Sequence, residues 1–317
     1  MSAWPLRSPP SGLPWQADVA GRIVVFGDVI DDIVVVPSVP MRHDTDTASA
    51  IRHRAGGSAA NVASWLGHSG VDVDFVGRVA ASDVLKHSLL LQRFGVTPHL
   101  TGDDELPTGT IVVIVDGNSR TMLTERGAND HFSADAVTDD LLAAAALVHF
   151  TGYNIYHGPD QDAIRRLLAR AAAAGVVVSV NPASAGRIAE FGAERFLDLI
   201  ADAAILLPNL DEGRALTGLD DPLDVASALA ERFPLVALTM ADQGVIVAER
   251  GAEPVRIDAV STHPVDPTGA GDAFAAGFLA EWVRDGDAHA AALTGVELAA
   301  EAVAIVGGRP SPRVRLT

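Results

Sequence analysis

Cysteine is absent from the 317 residues, and lysine occurs once, at Lys86. Without thiols there is no disulfide, no thiolate metal site and no thiol nucleophile. With a single lysine there is no G-x-x-x-x-G-K-[ST] segment, so a bound phosphate must rely on backbone donors and a divalent cation. Positive charge is scarce throughout, and the formal net charge is −18. That balance argues against nucleic acid as a partner, since its phosphates require clustered Lys and Arg. The same field repels a free nucleotide at long range, although salt screens it beyond about 8 Å. No apolar run approaches the ~18 residues of a membrane span, so no membrane partner is expected. Residues 1–20 contain Arg7 and several prolines but lack the continuous apolar stretch of a secretory signal. The expected compartment is the cytoplasm. The first strand–turn offers Gly27 alone, with no G-x-G-x-x-G before a helix, which argues against a dinucleotide oxidoreductase.

What the chain has in quantity is apolar side chain, 48% of its residues, ample for one large α/β domain or such a domain with an elaboration. Residues 1–20 carry Trp4, Pro5, Pro9, Pro10, Pro14 and Trp15 without periodicity and read as a tail with no chemistry. Residues 22–26 read as a buried strand ending in a glycine turn, 33–36 as a second strand, and 73–76 as another, followed by a helix around 85–94. From 96 to 126 the pattern changes to β alternation. There 110–115 and 120–124 flank Asp116-Gly117-Asn118, a hairpin signal. Segments 29–53 and 96–126 are therefore expected to build a small sheet protruding as a lid from the main body, which spans 21–317. After residue 130, strands at 147–150, 176–180, 204–207, 235–239 and 245–248 alternate with helices, including an alanine-rich one at 160–174. That alternation predicts a mostly parallel sheet with helices on both faces.

The stretch Val265-Asp266-Pro267-Thr268-Gly269-Ala270-Gly271-Asp272 runs from a proline turn into a small-residue helix expected to end near Trp282. Gly269, Ala270 and Gly271 leave backbone N–H groups uncovered at the helix start, where unpaired donors and about half a positive charge suit a phosphate. Asp272, in the same turn, would repel an anion, unless it takes a proton from a hydroxyl attacking phosphorus. The plainer alternative is a carboxylate complementing the helix dipole.

Other polar residues gather where strands end, the place at which parallel-sheet proteins bind ligands. Asp32, with Asp28 and Asp31 between the first two strands, could hold a polyol, or could belong to a solvated acidic turn. Gly56-Gly57 would let backbone approach a ligand closely, and Asn61 offers a donor and an acceptor; alternatively the glycines form a turn and Ser58 caps the helix. Asn209 and Glu212, three apart, could organise water around Mg²⁺, or could form a capping box. Asn181 and Thr239 close two further strands, and Gly244 follows shortly after.

These residues together resemble the ribokinase-like (PfkB) carbohydrate kinases over residues 21–312. The family's D-[TP]-x-G-A-G-D-x-F signature is matched by Asp266 to Phe274, its double glycine and asparagine by Gly56, Gly57 and Asn61, and its N-x-x-E motif by Asn209 and Glu212. Gly307-Gly308-Arg309-Pro310-Ser311 resembles the loop that closes over the adenine site. The resemblance implies a ribokinase-like fold and an ATP-dependent kinase acting on a primary hydroxyl of a small sugar or sugar acid, with a nucleoside kinase or a non-catalytic regulator as alternatives. It implies Asp272 as base and Gly269, Ala270 and Gly271 as anion hole, with Asp32, Gly56, Gly57 and Asn61 on the acceptor. Glu212 with Asn209 would act on Mg²⁺ through water, and Asn181, Thr239, Gly244 and Gly308 would line the nucleotide site. Asp266 is the position implied for a monovalent cation such as K⁺, and the lid is implied as a homodimer contact. Three departures stand out. Thr239-Met240-Ala241 replaces the common Thr-Leu-Gly, Asn181 stands where many members have aspartate, and the G-x-V-G-x-D pattern appears as Gly77-Arg78-Val79-Ala80-Ala81-Ser82 followed by Asp83.

Overall fold

The computed structural model describes residues 21–116 and 119–311. The segment 1–20, expected to be a tail, and Gly117-Asn118 of the expected hairpin turn lie outside the described residues. Strands among the described residues are, in chain order, β1 (Ile23–Phe26), β2 (Ile30–Pro37), β3 (Ser49–Gly56), β4 (Val73–Ala80), β5 (Val96–Asp103), β6 (Gly109–Asp116), β7 (Ser119–Glu125), β8 (Leu147–Thr151), β9 (Val177–Asn181), β10 (Ile205–Leu206), β11 (Leu235–Thr239), β12 (Val245–Glu249) and β13 (Val255–Ile257).

Nine of these form one sheet in the order β13-β12-β11-β10-β9-β8-β1-β4-β5. Pairing is parallel from β11 through to β5, whereas β12 and β13 are antiparallel. The central strands are continuous apolar runs because both faces are covered. Val24, Phe26, Val148, Phe150, Val178 and Val180 point into one core, which the Asp162–Ala174 helix covers. Their neighbours Ile23, Val25, Leu147 and Val177 point into a second core against the Ser58–His68, Ala270–Asp285 and Ala288–Val303 helices. Period-two alternation thus builds two separate cores from one set of strands. The Phe26 and Phe150 rings stack at 4.8 Å and hold the middle of the sheet.

β1 lies between β8 and β4, so the chain leaves it first toward one edge and later builds toward the other. Such a reversal opens a crevice at the carboxyl ends of the strands. The second sheet, in the order β3-β2-β6-β7, grows from that end. Its β2 pairs antiparallel to β3 and parallel to β6. Asn129 pins both lid roots: its Oδ1 accepts from Val29 N at 3.0 Å, and its Nδ2 donates to Val29 O and Arg126 O at 3.0 and 2.8 Å. Val36, Ile51, Met122 and Leu123 remain exposed on the lid.

The segment 96–103, expected within the lid, belongs instead to the main sheet as β5. It pairs in parallel with β4 along eight residues, after a crossover through the Val84–Gln92 helix. Its burial alternates because it is an edge strand with one covered face, which gives it the pattern of a lid strand. The lid therefore draws on 30–37, 49–56, 109–116 and 119–125. The helix carrying Asp272 runs past Trp282 to Asp285, where Gly286 stops it in a left-handed conformation. No helix among the described residues is long and apolar enough to cross a membrane.

Candidate active site

Asp272 sits in the first turn of the Ala270–Asp285 helix, whose N-cap is Gly269 at φ 80 with no side-chain cap. Gly269 is required twice over, by its left-handed backbone and because a Cβ there would lie 2.5 Å from Gly308 Cα. The Ala270 N–H, expected to be uncovered, is instead engaged: it donates to Pro267 O at 3.3 Å, because residues 267–270 close a turn ahead of the helix. At Gly271 an added Cβ would meet no protein atom within 4 Å, so the space over this part of the helix start is open. Asp266 fastens the loop from behind. Its Oδ1 accepts from Thr268 N and its Oδ2 from Gly307 N, both at 3.0 Å.

The Asp272 carboxylate is half-buried and accepts two side-chain hydrogen bonds, from Ser58 Oγ at 2.6 Å to Oδ1 and from Asn61 Nδ2 at 2.9 Å to Oδ2. Burial pushes its pKa up to about 7; these hydrogen bonds oppose that rise, and the Asp28 and Glu212 carboxylates add to it. A carboxylate tuned to neutrality is suited to take a proton from an alcohol.

Ser58 is free for this contact because Asp28 has the capping role. From the end of β1, Asp28 Oδ2 accepts from Ser58 N at 2.9 Å and Oδ1 from Ala59 N at 3.2 Å. The simple alternative of Ser58 as N-cap is thus overturned: the cap position is Gly57, at φ 92, and the carboxylate satisfying the helix start comes from another strand. A Cβ at Gly57 would strike the Asp28 carbonyl, and one at Gly56 would strike the Asp32 carboxylate. The double glycine lets backbone and two acids share one place.

Asp32, on β2, is pushed up to about 6 by burial, against the pull of the Arg309 guanidinium and with the Asp28 and Asp31 charges adding. Arg309 reaches the same place, donating from Nη2 to Gly56 O at 2.8 Å and from Nε to Asn61 Oδ1 at 3.4 Å. Its Nη1 is buried without a partner, and burial lowers its pKa to about 10. Tyr153, two residues past the end of β8, is a further neighbour. Burial first, then the Asp28, Asp272 and Glu212 charges, raise its phenol to about 12. Neither neighbour is evident from the sequence: Arg309 follows the double glycine Gly307-Gly308, and Tyr153 has only its strand-end position to signal it.

Asn181, Asn209 and Thr239 stand at the carboxyl ends of β9, β10 and β11, and Asn209 forms a bridge with Thr239. Asn181 Oδ1 accepts from Ala183 N at 2.9 Å. Asn209 and Glu212 form a complete capping box, with Glu212 N donating to Asn209 Oδ1 at 2.9 Å and Asn209 N to Glu212 Oε2 at 3.0 Å. Glu212 Oε1 accepts a third bond, from Ser184 N at 2.9 Å, and so holds the left-handed pair Ala183 (φ 46) and Ser184 (φ 83). Burial raises the Glu212 pKa against these bonds. Each carboxylate oxygen gives one lone pair to backbone N–H and keeps another, a donor set that fits a divalent cation held through water. Gly244, at φ 89, allows no Cβ because the Ile257 carbonyl occupies that space. Gly308 lies against Asn61 and Gly269, and its carbonyl accepts from Trp65 Nε1 at 2.9 Å. Expected to line the nucleotide site, it stands instead beside the Gly269 turn and the Asn61 side chain, apart from the residues at the ends of β9–β11.

The model of the pfkB family carbohydrate kinases matches residues 20–313. An uncharacterized sugar kinase of Archaeoglobus fulgidus is 27% identical, covering 77% of this chain and 96% of its own. A 1-phosphofructokinase of Rhodobacter capsulatus is 30% identical, covering 87% and 84%. The solved structure of an adenosine kinase from Sinorhizobium meliloti superposes with a TM-score of 0.81 at 25% identity, over 92% of this chain and 96% of that one. With its ribokinase-like sheet and lid, the chain belongs to the pfkB family of carbohydrate kinases and is an ATP-dependent phosphotransferase of that family.

Proposed function

We propose that the chain transfers the γ-phosphoryl group of ATP to a primary hydroxyl of a small sugar or sugar acid. The observation that carries this reading is Asp272, a carboxylate poised near neutrality in the first turn of a helix whose start is left open over Gly271. Asp272 takes the acceptor's proton, and the Gly269-Ala270-Gly271 backbone receives the charge of the transferring group. Phosphoryl transfer has a loose transition state, so positioning and charge stabilisation carry the catalysis and no lysine is needed. Asp32, Gly56, Gly57 and Asn61 hold the acceptor; Asn181, Asn209, Thr239 and Gly244 serve the nucleotide. Glu212 would hold Mg²⁺ through water, and the ion would supply neutralisation of phosphate charge. Asp266, tied to Gly307, organises the loop where a monovalent cation such as K⁺ would sit.

Hydrogen-bonding groups make up the named acceptor side: Asp32, Asn61, Arg309 and glycine backbone. They suit a polyol better than a nucleobase, which binds by stacking on aromatic faces. The exposed Val36, Ile51, Met122 and Leu123 support a homodimer through the lid. The test is ADP release from Mg·ATP across a panel of sugars, sugar acids and nucleosides, with and without K⁺. Turnover stimulated by a sugar or sugar acid is expected. Stimulation by nucleosides alone transfers the reading to a nucleoside kinase, and absence of ATP binding refutes the site assignments.

A further inference from the structure

A second cluster of ligating side chains lies at the base of the lid, and none of its members bonds to Asp272. Asp31 on β2, Asp83 in the turn Ala81–Asp83, and His87 on the Val84–Gln92 helix each bring one ligand atom within 4.8 Å of the other two. His87 is 0% exposed, yet neither ring nitrogen has a hydrogen-bond partner. Its Nε2 stops 3.6 Å from Asp31 Oδ1. Buried imidazoles are ordinarily satisfied through at least one nitrogen, and an orphan of this kind calls for a cause.

The carboxylates are placed to supply one. Asp83 Oδ2 accepts from Thr108 Oγ1 at 2.6 Å, and that hydroxyl in turn accepts from Ala80 N at 3.2 Å. This is the outer support that orients a ligating carboxylate while leaving its second oxygen free. Asp31 Oδ2 accepts from Lys86 Nζ at 2.6 Å, and the Lys86 side chain is 48% exposed and able to swing into water. The only lysine of the chain thus already places a cation on this cluster.

We propose that Asp31, Asp83 and His87 form a binding site for a divalent transition-metal ion of the Zn²⁺ class, which displaces the Lys86 ammonium. One imidazole with two carboxylates suits Zn²⁺, whereas Mg²⁺ prefers oxygen donors and retained water. The ion would join β2, the strand that carries Asp32, to a helix of the body, and so fix the root of the lid. Binding itself does not depend on the phosphotransfer reading.

The test is calorimetric titration of Zn²⁺ alone into nucleotide-free, metal-stripped full-length protein, with Co²⁺ absorption as a spectroscopic check on imidazole ligation. One equivalent of Zn²⁺ is expected. His87→Gln and Asp83→Asn should each weaken it by about tenfold or more, and Lys86→Met should tighten it by removing the competing ammonium. Should His87→Gln fail to fold, Asp83→Asn and Lys86→Met decide the matter. No equivalent in the wild type, binding unchanged in Asp83→Asn, or binding weakened in Lys86→Met overturns the site.

Discussion

Asp272→Asn keeps the shape of the proposed base and removes its charge. Folding lifts this carboxyl from 3.8 to about 7. Between those values the folded protein holds a proton that the unfolded chain has released, so stability falls as pH rises across the window and is level above it. A displacement of about three units corresponds to about 4 kcal/mol of lost stability at pH 8. Asparagine cannot ionise and lacks that slope. Its amide accepts from Ser58 but turns an NH₂ toward Asn61 Nδ2, and such a mismatch costs about 1–3 kcal/mol. The variant should therefore be more stable than wild type at pH 8 by about 2 kcal/mol, and less stable at pH 4, where only the mismatch remains. Turnover should fall by about 10²–10⁴, the usual contribution of a general base. In the wild type, kcat/KM should decline below about pH 7, and the residual activity of the variant should lack that limb. Urea unfolding at the two pH values and ADP release from pH 5 to 9 measure both effects. Turnover within tenfold of wild type, or an acid limb near 7 that persists in the variant, refutes the reasoning.

Gly271→Ala should separate fold from function: the new Cβ meets no protein atom, so the fold should hold or gain a few tenths of a kcal/mol of helix propensity. Placed where a phosphoryl group would rest, it should lower kcat by about 10², of the order of losing one oxyanion donor; unaltered kcat in the folded variant contradicts the anion hole. Ser58→Ala removes a 2.6 Å hydrogen bond that stabilises ionised Asp272, so the acid limb of kcat/KM should move up by about one pH unit, which a pH–rate profile reads directly. Ala241→Gly should stabilise the protein by about 1 kcal/mol, because Ala241 is held at φ 52, where L-residues carry a penalty; a lower urea midpoint for the variant contradicts this.

The parallel body was legible because strands such as Val148–Phe150 on β8 and Val178–Val180 on β9 are buried on both faces and read as short apolar runs. β5 was misplaced for the opposite reason. An edge strand with one wet face has the alternation of a lid strand, and only its pairing with β4 tells them apart. The glycine-rich helix start with Asp272 was legible because its local chemistry is unusual. What surrounds Asp272 was less so. Asp28 takes the cap of the Ser58–His68 helix across 30 residues of sequence, which frees a hydroxyl that looked like an ordinary N-cap. Arg309 reaches Gly56 from more than 250 residues away, a contact that no local pattern encodes. The family's usual glycine at position 241 shows its physical reason in the left-handed backbone that Ala241 is made to adopt.

Lys86, the lone lysine, stands half-exposed beside the root of the lid and pairs with Asp31 on β2. An amine-directed fluorophore would therefore find a single side-chain target, at the joint between the two sheets. Because the chain has no cysteine, one thiol introduced at an exposed lid position such as Met122 would take a second dye without cross-reaction. Distance measurements between lid and body thus need one introduced thiol, once the α-amino group, the other amine such a dye attacks, is blocked.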